Sequence, residues 1–280
     1  MPNISKKIWY EKIDSFNLQG NDARKFLNGL TTNNLMDKNQ IVQTCLLSPK
    51  GILKSLLEVH FYEKFLKVLV LAGNTIEIKK YFENIIFPSD DVSISKTDCV
   101  FRIQEVDGKT PWRDGMPMVF EADDQELDLF KKNINLMNDI ELREWKVNHA
   151  IPLYNFEING KNNPLELGLR DLIDFKKGCF LGQETMAKIR NAISLKKEIR
   201  VWKTKNQNFS PNEVNLGLFT SSTNNLRIGQ ITSFLQINKN LYVGLALIKR
   251  KYLDNENKVF SAKFGEISFK KSLSSTFMEY

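Results

Sequence analysis

The chain has 280 residues, 42% hydrophobic and 26% charged, which suits one large or two ordinary domains around a buried core. Three cysteines (Cys45, Cys99, Cys179) and two histidines (His60, His149), with no C-x-x-C pair, argue against a disulfide framework. They also argue against a zinc site or a four-thiolate cluster held by this chain alone. The net charge of +7 is dispersed through a Lys-, Asn- and Ile-rich sequence without a base-stacking aromatic signature, so direct RNA binding is not indicated.

No stretch approaches the ~20 apolar residues of a membrane span. Phe65–Ala72, broken by Lys67, is strand-length, and the N-terminus has no apolar signal-peptide core. The expectation is a cytoplasmic protein without a membrane segment.

In chain order, Asp14–Gln19 reads as a short strand. A helix follows with Asn21 as cap and Ala23, Phe26, Leu27 and Leu30 on one face. Ile41–Leu47, Ile52–Tyr62 and Phe65–Leu71 read as strands, with Ser48-Pro49-Lys50-Gly51 as the first turn. Asn74 opens a second helix as a capping box with Glu77, and Ile78, Tyr81, Phe82, Ile85 and Ile86 form its stripe. Residues 92–121 suggest two or three strands with turns at Asp107-Gly108 and Arg113-Asp114-Gly115. Glu126–Asn133 and Asp139–Ala150 suggest helices, the second closed by Pro152. Residues 155–176 read as a long irregular loop of a kind kept for function.

After Lys196 helical patterns vanish. Strands are expected at Ile199–Thr204, Gly217–Thr220, Ile228–Phe234, Tyr242–Ile248, Val259–Lys263 and Ile267–Lys271, a pattern of small antiparallel barrels. The fold class is therefore α+β, an N-terminal body over 1–195 followed by a small C-terminal antiparallel β-barrel over 196–280.

Residues 177–184 read Lys-Gly-Cys-Phe-Leu-Gly-Gln-Glu, followed by a helix with Met186, Ile189 and Ile193 on one side. Gly178 and Gly182 permit tight turning and close approach. Cys179 precedes a helix N-terminus among Lys177, Lys188 and Arg190, surroundings that favour a thiolate. Gln183 and Glu184 offer an amide and a carboxylate to a flat heterocycle with adjacent N–H groups. A structural reading stands beside this one. Cysteine is often a small buried hydrophobe, Glu184 and Lys188 fit an i, i+4 pair worth ~0.3–0.5 kcal/mol, and the glycines fit loop punctuation.

The segment, with Lys188 four positions on, closely resembles the signature of the YgfZ family. Leu18–Ala23 with Phe26-Leu27 and Thr32-Asn33, Leu46–Gly51, Gly229–Ser233 and Gly244–Leu247 are similar to other parts of that family. The resemblance implies a fold like the T-protein of the glycine cleavage system, with tetrahydrofolate, or a substituted form, in the middle. It implies an accessory role toward iron–sulfur client or assembly proteins, including a tRNA-modifying enzyme. Cys179 becomes the key, catalytic group. Lys177, Gly178, Phe180, Gly182, Gln183, Glu184 and Lys188, with Asn33, become ligand-binding residues.

One departure bears on chemistry. Gly51-Ile52-Leu53-Lys54-Ser55 carries no acid where the aminomethyltransferase has one, so methylene transfer lacks an obvious acid or base near Lys54. Whether any reaction is catalysed stays open, and a folate-dependent one-carbon transferase is the alternative. His60 and His149 read as structural, Trp112, Trp145 and Trp202 as core, and Cys45 as buried. Arg170, Asp171 and Asp174 fit either a pocket lining or a loop tie.

Overall fold

The computed structural model describes residues 7–37, 41–106, 112, 115–121, 136–190, 195–205, 215–221, 226–253 and 259–270. Two compact units divide the chain, Met1–Asp139 with Leu172–Glu184, and Ile140–Asp171 with Thr185–Tyr280.

The first unit is built on an antiparallel sheet of β1 (Lys7–Gln19), β2 (Val42–Leu47), β3 (Leu53–Phe61), β4 (Phe65–Ala72), β5 (Ser93–Ile94), β6 (Asp98–Val106) and β7 (Met118–Glu121). The order is β2-β3-β4-β1-β6-β7, with β5 also on β1. The first strand is twice the expected length. Its N-terminal half, disguised by Lys7, Glu11 and Lys12, pairs with β6, and Ser15–Gln19 pairs with β4. The turns at Asp107-Gly108 and Arg113-Asp114 and the helix at Glu126–Asn133 lie outside the described residues.

Helix α1 (Ala23–Leu30) and helix α2 (Thr75–Ile85) cover one sheet face. Ala23, Leu27, Ile78 and Phe82 join Phe16, Leu18, Leu57, Val59 and Val68 in one apolar cluster. The Asn74 side chain caps α2 by accepting from the N–H groups of Ile76 and Glu77, as expected. Tyr81, expected on the apolar stripe, is exposed. The cap of α1 differs from expectation. Asp22 occupies the N-cap position without a side-chain cap bond, its carboxylate accepting instead from Asp91 N–H at 3.0 Å. The Asn21 N–H donates to the Asp91 carboxylate at 2.8 Å. Gly20, at φ 110°, has no room for a side chain here: a Cβ would lie 2.0 Å from the Asp91 carbonyl oxygen.

Because side chains alternate along a strand, Glu58 and His60 point away from Leu57 and Val59, and they are buried among polar partners. Arg102 Nε and a terminal nitrogen donate to Glu58 at 2.9 and 2.8 Å, and Gln43 Nε2 donates at 2.9 Å. His60 Nε2 lies 2.9 Å from the same carboxylate, and Trp9 stacks 4.2 Å from the guanidinium carbon. Burial raises the Glu58 carboxyl, but Arg102 and His60 outweigh it and bring it down to about 2.

The second unit contains α3 (Asp139–Asn148) from its second residue, an irregular stretch into a 3-10 turn at Arg170–Leu172, the part of α4 (Gln183–Lys188) from Thr185 onward, and six strands. These are β8 (Lys197–Lys205), β9 (Gly217–Phe219), β10 (Arg227–Asn238), β11 (Leu241–Lys249), β12 (Val259–Ser261) and β13 (Gly265–Phe269). They close into an antiparallel barrel of order β10-β11-β8-β13-β12-β9, each where the sequence places a strand. Trp202, Ile231, Ile248 and Phe264 fill it. Trp112, Trp145 and Cys45 are buried as expected. Helix α4 stops short of the expected face: Met186 is buried, Ile189 lies just past its end, and Ile193 is outside the described residues. Among the described residues no helix is long and apolar enough to cross a membrane.

The Glu58–Arg102 pair generates an acid-side prediction. A carboxyl held near 2 in the folded state and near 4.5 unfolded contributes stability above pH 4.5 that is lost as pH falls toward 2. That loss amounts to about 3 kcal/mol. Urea titrations between pH 6 and 2.5 will show it. Glu58→Gln will lower stability by ~3–5 kcal/mol at neutral pH, because Arg102 stays buried without its counter-charge, and will flatten the acid limb.

Candidate functional site

The segment from Leu172 to Glu184 packs within the first unit, against the end of α1 and the β2–β3 turn. Three backbone carbonyls converge at the end of α1 and just beyond it, that of Asn28 being one a helix terminus leaves without an intrahelical donor. The Lys177 ammonium fills that position, donating to the oxygens of Asn28 at 2.6 Å, Thr31 at 2.8 Å and Asn33 at 2.8 Å. Its nitrogen also sits 5.6 Å from the centre of the buried Phe180 ring. Burial pushes this ammonium down to about 8 against the pull of Asp174.

Thr32 extends the tie. Its hydroxyl donates to Leu172 O at 2.7 Å and accepts from Cys45 N–H at 3.0 Å, and its carbonyl accepts from Asp174 N–H at 2.9 Å. Leu181 N–H reaches Gly29 O at 3.1 Å. Gly182 adopts φ 81°, and a Cβ on it would stand 2.7 Å from Ser48 O and 3.2 Å from Gly51 Cα. Gly51 itself closes the β2–β3 turn with φ 71° and an N–H bond to Ser48 O at 2.9 Å.

The eight residues thus divide by role. Lys177, Phe180 and Gly182 face inward and hold the loop. Cys179 is exposed and outside any disulfide, Gly178 and Glu184 are exposed, and Gln183 is half-buried at the start of α4. Lys188, at the end of α4, is exposed. Asn33 is half-buried, with its amide nitrogen donating to Gln43 O at 3.0 Å and its oxygen accepting from Asn34 N–H at 2.9 Å. Asp174 ties its own loop, accepting from Lys176 N–H at 2.8 Å, and Arg170 donates to Arg190 O at 2.5 Å. His60 and His149 make structural bonds, to Glu58 and to Trp145 O.

Sequence reasoning passed over Thr44 and Asn28, and met Thr32 only within the family resemblance. Thr44 Oγ1 accepts from Asn33 N–H at 2.9 Å. The Leu-Thr-Thr-Asn-Asn run directly after a helix is the signal that marks this junction. Among the described residues no group of three or more His, Cys, Asp or Glu is placed to hold a metal ion. The segment therefore offers a thiol, a carboxylate and an amide on a rigid base.

No family model matches the chain, and no curated protein matches its sequence. Solved structures do match. The aminomethyltransferase T of the glycine cleavage system from Bartonella henselae superposes with a TM-score of 0.71 at 13% identity, over 96% of this chain and 86% of that one. The chain therefore has the fold of that aminomethyltransferase, with an α+β body and a closed C-terminal antiparallel barrel.

Two substitutions test the loop's construction. Lys177→Met leaves three carbonyls without a donor and will cost ~2–4 kcal/mol in denaturant unfolding. Gly182→Ala combines left-handed strain with a backbone clash and will cost ~1–3 kcal/mol. Gly178→Ala, where a Cβ meets open space, will be close to neutral.

Proposed function

We propose that this protein is a folate-binding accessory factor of the YgfZ type, which supports the assembly or repair of iron–sulfur enzymes, tRNA-modifying ones among them. The observation that carries the reading is the division of Lys177–Glu184 into a locked inner set and an outward set of Cys179, Gln183 and Glu184. A loop built only for packing has no need to hold a thiol and a carboxylate outward on a base this rigid.

The fold likeness to an aminomethyltransferase T supports a folate-type ligand, tetrahydrofolate or a substituted form. The residues fit such a group. Glu184 supplies a carboxylate and Gln183 an amide, the acceptors and donors that the edge of a flat heterocycle with adjacent N–H groups requires. Folate carries one-carbon chemistry when bound, while the chain's own residues bind and orient it. In this reading Lys177, Phe180 and Gly182 act by shaping the loop, Asn33 by fixing the junction beneath it, and Lys188 by placing positive charge at the end of α4. Cys179 is the group that meets the client or the transferred unit, and the protein works in the cytoplasm.

A one-carbon transferase of the aminomethyltransferase class is the second reading. The shared fold favours it. Position 54 opposes it: Lys54 is an exposed cation on β3 where that reaction would use an acid.

Anaerobic calorimetric titration with tetrahydrofolate tests the proposal. Wild type will bind at micromolar levels, and Glu184→Ala will weaken binding about tenfold, ~1.4 kcal/mol. No binding by wild type would overturn the folate assignment. In a deletion strain, Cys179→Ala will fail to restore iron–sulfur enzyme activities, and full restoration would remove Cys179 from the mechanism.

A further inference from the structure

A cavity of about 580 Å³ lies on the second unit, within the ~300–1,000 Å³ range of small-molecule sites. Its walls come from the 155–162 loop, from β10 between Arg227 and Thr232, and from Lys197 and Lys249 on the flanking strands. The loop is fixed from below by a buried carboxylate. Glu157 is fully buried and accepts from Leu153 N–H and from Ser233 Oγ, each at 2.9 Å, and also from the Thr232 hydroxyl. Asn162 donates to Glu157 O at 2.8 Å, which closes the loop upon itself. Gly229 keeps β10 pressed to its neighbour, since a Cβ there would meet Leu247 O at 2.5 Å.

Among the described residues four cations line this cavity, Lys161, Lys197, Arg227 and Lys249, and no carboxylate does. Glu166 faces Lys197 from the adjoining segment and offsets one of them. Arg227 is oriented by Gln230, which accepts from its guanidinium at 3.1 Å, and the Lys249 ammonium is steered by Arg227 O at 2.8 Å. Like charges gathered round one concavity raise the local concentration of anions and repel each other without one. Phe156 lines the same cavity yet leaves 51% of its surface exposed, an apolar ring beside a cationic wall. Cations for phosphate and an aromatic face for stacking on a flat ring are the two elements that bind a nucleotide.

We propose that this cavity is a nucleotide-binding site, with the phosphates on Lys161, Lys197, Arg227 and Lys249 and the base on Phe156. The site lies wholly within the second unit and does not depend on the folate reading.

Titration of the full chain with ATP, and separately with inorganic tripolyphosphate, tests it. Wild type will bind ATP saturably. Lys161→Ala combined with Lys197→Ala will weaken both ligands about tenfold. Phe156→Ala will weaken ATP severalfold and leave tripolyphosphate unchanged, with unaltered circular dichroism showing that each variant is folded. Absence of saturable ATP binding, or ATP binding indifferent to all three substitutions, would overturn the site. Equal binding of tripolyphosphate and ATP with no effect of Phe156→Ala would reduce it to an adventitious anion surface and overturn the nucleotide assignment. An oligonucleotide that displaces ATP far more tightly, with a steep salt dependence, would overturn it in favour of single-stranded RNA. Tetrahydrofolate titrations on the same variants will be unchanged, which separates this proposal's failure from that of the folate reading.

Discussion

The Lys177 ammonium is the contact on which the candidate site depends. A helix ends with carbonyls that lack intrahelical donors and carry partial negative charge. One such oxygen, of Asn28 in α1, converges with those of Thr31 and Asn33 just past the helix end, and one cation satisfies all three from 144 to 149 residues further along the chain. The bond set joins the start of the sequence to its middle. Phe180 then has a place under the charge, Leu181 pairs with Gly29, and Gly182 enters the narrow space over Ser48 and Gly51. With the inner residues fixed, Cys179 and Glu184 lie exposed.

The same device appears in the second unit with the sign reversed. There a buried carboxylate, Glu157, gathers an N–H and two hydroxyls and fixes an irregular loop against β10. Burying a charge is costly unless its hydrogen-bonding capacity is filled. Once filled, it fixes a loop more specifically than apolar packing does, because few geometries satisfy every bond at once. Both loops that carry candidate chemistry rest on one such group.

What the sequence discloses follows from the range of the interactions. The second helix, its Asn74 cap and the Ser48–Gly51 turn are specified by neighbours within a few residues, and they read correctly. So do the barrel strands, whose glycines and alternation are local. The cap of α1 did not read, because Asp22 spends its carboxylate on Asp91, 69 residues away. The first half of β1 was hidden by Lys7, Glu11 and Lys12, whose place in a strand is set by pairing with β6. Glu58 and His60 look like the wet face of a strand until Arg102 is brought opposite them, 44 residues on. In the signature the motif itself was legible, but the division of labour was not. Lys177 invites a ligand role by its charge, and only the fold reveals that its donors point into the end of α1.

The central claim is that a rigid base holds Cys179 and Glu184 outward to meet a folate. Hydrogen-exchange mass spectrometry on the full chain, read on peptides covering residues 172–190 with and without anaerobic tetrahydrofolate, tests it most directly. The account predicts that the amides of Asp174 and Leu181, which donate to Thr32 O and Gly29 O, are protected without ligand, and that folate slows exchange further at Cys179 and Gln183–Thr185. Rapid exchange across the whole segment without ligand, or no change there at saturating tetrahydrofolate, would contradict it.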